Sequence, residues 1–253
     1  MSVTPKKELG QHFLVDENIL GVIGRLAELA SDDVVLEVGA GLGVLTRYLA
    51  ARVAHVHAVE LDRSLEPRLQ GIERTTLYWQ DALSLDPATL APPPGKLVAN
   101  LPYNVATPLV VESLDRAPTI DSWCVMVQRE VADRFFAQPG TKAYGAVSVL
   151  LQLVAKRTGF HSVSREVFRP RPNVDSALVA FRRREAAVPV GVKAVVEGAF
   201  AHRRKTLANS LALSPVATRE RSAAALDAIG RDASVRAEEL APQEFVSLTA
   251  ALA

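Results

Sequence analysis

The sequence predicts an α/β protein in which a mostly parallel sheet is followed by a small all-helical C-terminal domain. Two observations support this fold class. Short apolar runs alternate with longer helix-like segments between residues 34 and 128, which is typical of βαβ units and a parallel sheet. After Arg184 the chain becomes Ala-rich and helix-like, with Pro and Gly residues as breaks. We therefore predict one domain at residues 1–184 and a helical domain at residues 185–253.

Each strand of the sheet is predicted from a short apolar run bounded by turn residues. The runs that fit the parallel part are Val34–Val38, His55–Glu60, Thr75–Trp79, Lys96–Ala99 and Trp123–Val127. Two later runs, Phe160–Val167 and Ser176–Arg182, flank a Pro-rich loop, and we predict that they form an antiparallel pair at the sheet edge. A helix is predicted over Leu45–Ala51, directly after a Gly-rich turn.

Composition excludes several classes of protein. The 253 residues are 49% hydrophobic and 23% charged, which is typical of a globular protein and not of a disordered one. The single cysteine, Cys124, excludes an internal disulfide framework and a multi-cysteine zinc site. His55 and His57 have no third ligand nearby in sequence, so no metal is expected. The longest uncharged apolar stretch is too short to cross a bilayer and the first residues are polar, so we expect a cytoplasmic protein that does not contact membranes.

Charge is distributed unevenly along the chain although the net charge is only +1. Residues 157–205 carry a balance of +7, whereas residues 1–156 carry −4 and residues 206–253 carry −2. A basic block of this kind is suited to holding a polyanion such as nucleic acid. A solvated basic surface that binds no partner explains the same distribution, and charge alone does not distinguish it from a nucleic-acid-binding surface.

The first group of candidate site residues is the Gly-rich turn of residues 37–43, which follows the first strand and precedes a helix. The glycines, Gly39 and Gly41 among them, allow a sharp turn and close approach of a ligand. The dinucleotide fingerprint requires a third glycine where this chain has Val44. Glu60 ends the second strand, where a carboxylate can accept ribose hydroxyls, and Asp81 follows the third, where it can receive an adenine amine. This pattern indicates an adenosyl cofactor that carries no phosphates.

The second group is the sequence Asn100-Leu101-Pro102-Tyr103 at the end of the fourth strand. The Asn100 side-chain oxygen and the Leu101 carbonyl are two acceptors that can take both hydrogens of an aromatic amine, which makes its nitrogen nucleophilic. Pro102 fixes the backbone, and Tyr103 offers a flat face on which a base can stack. A simple turn with a core tyrosine is the structural alternative. The position at the carboxyl edge of the sheet favours a site.

These motifs resemble those of the rRNA adenine N6,N6-dimethyltransferase family, and among its members the housekeeping branch that acts on small-subunit rRNA. The resemblance covers nearly the whole chain and starts at Lys6-Lys7-Glu8-Leu9-Gly10-Gln11-His12-Phe13-Leu14, where the family more often has Asn in place of His12. It continues through the two groups above and Asp81-Ala82-Leu83. The stretches that resemble the housekeeping branch are Pro139–Gly145, Phe168–Ala177 and Phe200–Leu207.

The resemblance implies a Rossmann-like, seven-stranded S-adenosylmethionine-dependent methyltransferase sheet with a C-terminal helical domain. It implies S-adenosylmethionine as the cofactor and two adjacent adenines in a hairpin near the 3′ end of small-subunit (16S) rRNA as the substrate, with a role in small-subunit biogenesis. The residues expected at the cofactor are His12, Leu14, Gly39, Gly41, Glu60, Asp81, Ala82 and Asn100. The residues expected at the target base are Asn100, Leu101, Pro102 and Tyr103, with Phe168 as a second stacking partner.

The helical domain is expected to bind RNA. Arg203, Arg204 and Lys205 lie at the predicted start of a helix, within the basic block, and we expect them to contact phosphates. The partner is then the immature small ribosomal subunit, and nothing in the sequence requires more than a monomer.

Three other functions are consistent with parts of the sequence. The antibiotic-resistance branch of the same family, which methylates large-subunit (23S) rRNA, would share the core site. A mainly non-catalytic RNA-binding or ribosome-assembly factor could use the same fold, although the intact Glu60, Asp81 and Asn100–Tyr103 favour catalysis. A nicotinamide dehydrogenase is disfavoured by Val44 and by the Asn-Leu-Pro-Tyr sequence.

Overall fold

The computed structural model describes residues 5–6, 9–185 and 188–253. Lys7 and Glu8 of the N-terminal motif lie outside the described residues. The strands, in chain order, are β1 Phe13–Leu14, β2 Val34–Val38, β3 His55–Glu60, β4 Thr75–Trp79, β5 Lys96–Asn100, β6 Ser122–Gln128, β7 Ala155–Val163, β8 Phe168–Arg169 and β9 Ser176–Arg183. The α-helices are α1 Glu17–Leu26, α2 Val44–Ala50, α3 Glu66–Leu69, α4 Ala106–Arg116, α5 Arg129–Phe135, α6 Ala146–Val154, α7 Val192–Phe200, α8 Leu207–Leu211, α9 Arg219–Ala228 and α10 Pro242–Leu252.

Seven of the strands form one mixed sheet, in the order β4-β3-β2-β5-β6-β9-β7. Strands β2 to β6 pair in parallel, and β9 runs antiparallel to β6. The predicted α/β sheet is therefore confirmed. The strand order reverses between β2 and β5, and open α/β sheets bind ligands outside the carboxyl ends of the strands at such a point. The Gly-rich turn follows β2, and Asn100 ends β5.

The predicted edge strand over residues 160–167 is wrong in its bounds. The strand β7 starts earlier, directly after helix α6, and residues 165–167 form a 3-10 turn instead. Side chains stabilise this turn, because Ser164 accepts a hydrogen bond from the Glu166 N–H at 3.3 Å and Asp175 accepts one from the Arg165 N–H at 3.1 Å. Local capping of this kind competes with strand pairing.

The described chain divides into two compact units. The first consists of the described residues up to Ala132 together with Arg157–Arg183, and it contains most of the sheet. The second consists of Asp133–Lys156 and Arg184–Ala253. Its core joins buried side chains of residues 137–153 with those of the C-terminal helices, among them Tyr144, Phe245 and Leu248. The segment 133–156 therefore packs with the helices that follow residue 184, although sequence order places it within the predicted catalytic domain.

Two short strands position the N-terminal segment in the first unit. Phe13 and Leu14 of β1 pair antiparallel with Arg169 and Phe168 of β8, respectively. Phe13, Leu14 and Phe168 are buried in the core beneath helix α1, whose residues Ile19, Leu20 and Ile23 belong to the same cluster. This pairing holds residues 9–14 next to the carboxyl ends of the parallel strands. None of the helices in the described part of the chain has the length and hydropathy of a membrane span.

Candidate active site

One cavity of about 300 Å³ lies in the first unit at the carboxyl edge of the sheet. It brings together eleven of the residues that the sequence analysis selected, namely His12, Leu14, Gly39, Gly41, Glu60, Asp81, Ala82, Asn100, Leu101, Pro102 and Tyr103. These residues come from five separate segments, and the parallel strands place them at one edge. The volume lies in the range of small-molecule sites.

The Gly-rich turn provides one wall of the cavity with bare backbone. Gly39 and Gly41 have φ angles of +80° and +56°, which disfavour any residue with a Cβ. A Cβ on Gly39 would lie 3.3 Å from Pro102 Cδ, and one on Gly41 would lie 3.2 Å from Phe13 Cδ1. The glycines therefore serve both the turn geometry and the close approach of two neighbouring segments. Phe13 was not selected from sequence, because only the folded chain places it under the turn.

The Glu60 carboxylate is fixed by backbone donors. Its Oε2 accepts a hydrogen bond from the Gly41 N–H at 2.8 Å, and its Oε1 accepts from the N–H groups of Leu61 and Asp62 at 2.9 and 2.8 Å. A carboxylate has about four acceptor positions, so one position on Oε2 is left for a ligand hydroxyl. Asp81 is exposed, and its Oδ1 accepts from the Leu83 N–H at 2.9 Å, which leaves Oδ2 for an amine.

Glu37 is a buried acid in the same cavity and has a strongly shifted pKa. Burial raises the pKa of its carboxyl to about 8, and the charge of Glu60 acts in the same direction. Glu37 Oε2 and Thr46 Oγ1 are buried without a hydrogen-bond partner among the described residues. Glu37 was not among the residues selected from sequence. Its signal was a charged residue in the otherwise apolar run Val34–Val38.

The N-terminal segment is tied to the residues beside Glu60. Asp62 is buried, and its two carboxyl oxygens accept hydrogen bonds from Lys6 Nζ at 2.7 Å and Gln11 Nε2 at 2.9 Å. These contacts, together with Ser64, hold the pKa of Asp62 well below its usual value despite its burial. Asp62 therefore stays ionised and holds Lys6 and Gln11 next to Glu60.

Asn100 and Tyr103 define the other end of the cavity. Asn100 donates from Nδ2 to the His12 carbonyl oxygen at 3.3 Å, which leaves its Oδ1 as a free acceptor. The Tyr103 hydroxyl lies 2.6 Å from Ser176 Oγ, and burial raises the pKa of Tyr103 above its usual value of 10. Tyr103 is therefore a neutral phenol whose ring is fixed by Ser176. Ser176 was missed because it is separated from Tyr103 by 73 residues.

Phe168 does not line this cavity. It is fully buried in the core of the first unit, where it pairs with Leu14. The structure therefore shows no free face on Phe168, and its role as a stacking partner stays a prediction. In the described part of the chain, no group of three His, Cys, Asp or Glu side chains is arranged to hold a metal ion.

The three basic residues selected from sequence lie in the second unit and differ from one another. They form the turn between α7 and α8 and not the start of a helix. Arg203 donates to the Tyr144 carbonyl oxygen at 2.9 Å and lies 3.4 Å from Glu238 Oε2. Arg204 and Lys205 are exposed, and their side chains form no hydrogen bond or ion pair with the described residues. Arg203 thus has a structural role, whereas the other two are free to bind an anion.

The cavity fits S-adenosylmethionine. The carboxyl groups of Glu60 and Asp81 complement the hydroxyls and the amine of an adenosyl group, and the bare backbone of the turn leaves room for it. The unpartnered Glu37 Oε2 is a further acceptor at the floor. Among the residues that the structure describes, no lysine or arginine lines the cavity.

Comparison with known proteins gives consistent results. A family model described as ribosomal RNA adenine dimethylase matches residues 3–253. A protein of Rubrobacter xylanophilus called ribosomal RNA small subunit methyltransferase A is 46% identical over 250 residues, which cover 96% of this chain and 94% of that protein. A protein of the same name from Kineococcus radiotolerans is 44% identical and covers 99% and 87%, respectively.

Two solved structures are similar over almost their full length. A dimethyladenosine transferase from Plasmodium falciparum superposes with a TM-score of 0.79 at 24% identity and covers 94% of this chain and 96% of its own, which shows the common fold. The 23S rRNA methyltransferase ErmE gives a TM-score of 0.66 at 30% identity and covers 95% and 99%. Both match the sheet and the C-terminal helices described above.

Proposed function

Because the chain belongs to the ribosomal RNA adenine dimethylase family, we propose that its cavity transfers methyl groups from S-adenosylmethionine to two adjacent adenines near the 3′ end of small-subunit rRNA. The family model is described as an adenine dimethylase, and the relatives at 44–46% identity are called small-subunit rRNA methyltransferases. The single observation that supports this site is that Glu60 and Asn100, which are far apart in sequence and end two different strands, line one cavity.

Binding of the cofactor is assigned to the turn side of the cavity. Glu60 would accept a ribose hydroxyl at Oε2, and Asp81 would accept the adenine amine at Oδ2. Leu14 and Ala82 provide apolar lining. When bound, S-adenosylmethionine supplies an electrophilic methyl group on a sulfonium.

Activation of the adenine amine is assigned to Asn100 and Leu101. Asn100 Oδ1 and the Leu101 carbonyl oxygen would accept the two amine hydrogens, which draws the nitrogen lone pair out of conjugation with the ring. The Asn100 amide nitrogen already donates to His12, so its oxygen is fixed in orientation before the substrate arrives. The amine loses its proton after the methyl has moved, so no strong base is required.

The adenine has to leave its stack to reach this site, and Tyr103 would hold it. The ring of Tyr103 is fixed through Ser176 and is neutral, so it offers a flat face without a charge. Positioning of this kind, with prearranged acceptors, supplies the rate enhancement in place of covalent catalysis.

The experiment that tests this function is mass analysis of rRNA after incubation of the protein and S-adenosylmethionine with undermethylated ribosomal subunits. We expect two methyl groups on each of two adjacent adenines of the small-subunit rRNA. Methylation of large-subunit rRNA instead would support a second candidate function, that of the antibiotic-resistance branch of the family. The similarity to the 23S rRNA methyltransferase ErmE at 30% identity favours this candidate. Absence of methyl transfer to either RNA would contradict the proposed function.

Phosphate binding is assigned to Arg204 and Lys205, because they are exposed and their side chains have no partner among the described residues. Each substitution, Arg204→Ala or Lys205→Ala, is expected to weaken subunit binding and to reduce the salt slope of binding by about one unit. Arg203→Ala is expected to lower thermal stability as well, since Arg203 holds the Tyr144 carbonyl. Unchanged salt slopes in the first two variants would show that these side chains form a solvated surface that does not bind RNA.

The monomeric state and the cytoplasmic location stay predictions. Gel filtration tests the first, and cell fractionation tests the second.

A further inference from the structure

The imidazole of His12 covers one face of the tyrosine that is proposed to hold the target base. The His12 and Tyr103 rings are stacked, with their centroids 5.5 Å apart and their planes at 29°. His12 Nδ1 lies 2.7 Å from the Pro170 carbonyl oxygen. Because a carbonyl only accepts, Nδ1 is the donor, and this bond holds the ring in place.

A base does not fit between these two rings as they stand. Two stacked aromatic rings lie about 3.5 Å apart, so a base that stacks between two rings requires a distance of about 7 Å between those rings. The observed centroid distance of 5.5 Å is shorter. An adenine that stacks on this face of Tyr103 must therefore displace the imidazole.

We propose that His12 is a placeholder for the target adenine, whose imidazole occupies the base position on Tyr103 and swings out when the base enters. The inference rests on the proposed function, since it takes Tyr103 as the stacking platform. A flat heteroaromatic ring keeps the face of Tyr103 covered while no RNA is bound. Because the ring competes with the base, His12 sets how readily the site captures an adenine.

The surroundings of His12 permit this exchange. The side chain is half-buried, and Pro170 is exposed, so water can replace the hydrogen bond to its carbonyl when the imidazole leaves. The link from residue 12 to Asn100 uses the His12 backbone oxygen and not the ring. Rotation of the side chain therefore leaves the orientation of Asn100 intact.

The test measures capture of a free base. Adenosine is titrated into protein saturated with S-adenosylhomocysteine, which blocks the adenine position of the cofactor, and binding is followed by NMR. For His12→Ala and His12→Asn, which both lack the aromatic ring, we expect adenosine affinity to rise by roughly 3- to 10-fold, the factor expected from removing one competing stack. His12→Phe keeps a ring and is expected to bind adenosine no better than the wild type. His161→Ala, a change of an exposed histidine on β7, serves as the matched control.

A second arm repeats the titration in Tyr103→Ala, where the gain from His12→Ala should disappear because the platform is absent. Unchanged or weaker adenosine binding in His12→Ala would overturn the proposal, because it would show that the imidazole does not compete with the base. A gain that persists in the Tyr103→Ala background would overturn it as well. Failure of the proposed function has a different signature, namely wild-type protein that binds the cofactor and transfers no methyl group to rRNA.

Discussion

The two ends of the cavity are held by different kinds of contact. The cofactor end, formed by the Gly-rich turn with Glu60 and Asp81, is fixed by backbone hydrogen bonds, and Glu60 alone accepts three of them. The acceptor end, formed by His12 and Asn100–Tyr103, is fixed by single side-chain contacts, such as Asn100 to the His12 carbonyl and Tyr103 to Ser176. The first end is therefore held by several backbone contacts, whereas each side chain of the second is held by a single contact that can be exchanged.

This difference matches the two ligands. A small cofactor that enters whole benefits from a site that needs no rearrangement, because binding then costs little ordering. A base that belongs to a large RNA has to be extruded and received, and each contact at the acceptor end can be exchanged at moderate cost. Substitutions at the cofactor end should therefore affect folding and cofactor affinity, and substitutions at the acceptor end should affect the rate.

The largest effect is expected at Glu37, which should link the stability of the cofactor end to pH. Its pKa is about 8 in the folded protein and 4.5 in an unfolded chain, so the folded state binds the proton more tightly. The stability that this group contributes is complete below pH 4.5 and is lost as the pH rises through 8. Between pH 5 and pH 8 the loss is on the order of 4 kcal/mol.

Glu37→Gln should remove this decline, and chemical denaturation at pH 5 and pH 8 measures it. Glu73→Gln, at an exposed position, is the control. A wild-type and a Glu37→Gln protein that lose equal stability between the two pH values would show that Glu37 is ionised in the folded state.

A somewhat smaller effect is expected at Glu60. Glu60→Ala should weaken cofactor binding by roughly 1.5–3 kcal/mol, the range for hydrogen bonds to a charged group. It should also lower the melting temperature, because the N–H groups of Gly41, Leu61 and Asp62 lose their acceptor. Calorimetry and thermal melting measure the two effects, with Glu73→Ala as the control. Cofactor affinity equal to that of the wild type would remove Glu60 from the site.

The smallest effect is expected at the Tyr103 hydroxyl. Tyr103→Phe keeps the stacking face and loses the bond to Ser176, so methyl transfer should slow by a factor that corresponds to about 1 kcal/mol. Tyr103→Ala loses the face and should cost about 1–3 kcal/mol. The double variant Ser176→Ala/Tyr103→Phe should transfer methyl groups no more slowly than either single variant, because both changes remove the same hydrogen bond. Fully additive losses would show that the hydroxyl has a role apart from Ser176.

The strands and the residues at their ends were predictable from sequence because they depend on local patterns. The runs Val34–Val38, His55–Glu60 and Thr75–Trp79 match the observed strands in both bounds. The place of Glu60, Asp81 and Asn100 at the site could be predicted as well, because the carboxyl ends of parallel strands meet at one edge of the sheet. Their meeting in one cavity is therefore a consequence of strand order.

The features that were missed depend on contacts between distant segments. The apolar stretch before β7 forms a helix, α6, whose buried side chains pack with the C-terminal helices. From sequence, Arg203 cannot be distinguished from Arg204 and Lys205, because its hydrogen bond to the Tyr144 carbonyl forms only in the folded chain. The contacts of Tyr103 with Ser176 and with His12 likewise join residues far apart in sequence.

The central claim is that the two ends of the cavity do separate work, and one paired measurement tests it most directly. Cofactor affinity and single-turnover methyl transfer at saturating cofactor are measured for Asp81→Ala and Asn100→Ala on the same preparations, with Asn18→Ala, at an exposed position of α1, as the control. Asp81→Ala should weaken cofactor binding about tenfold and keep the saturated rate within about twofold. Asn100→Ala should slow methyl transfer about 100-fold while subunit binding is retained. Equal losses of affinity and rate in both variants, or an Asn100→Ala protein as fast as the wild type, would contradict the account.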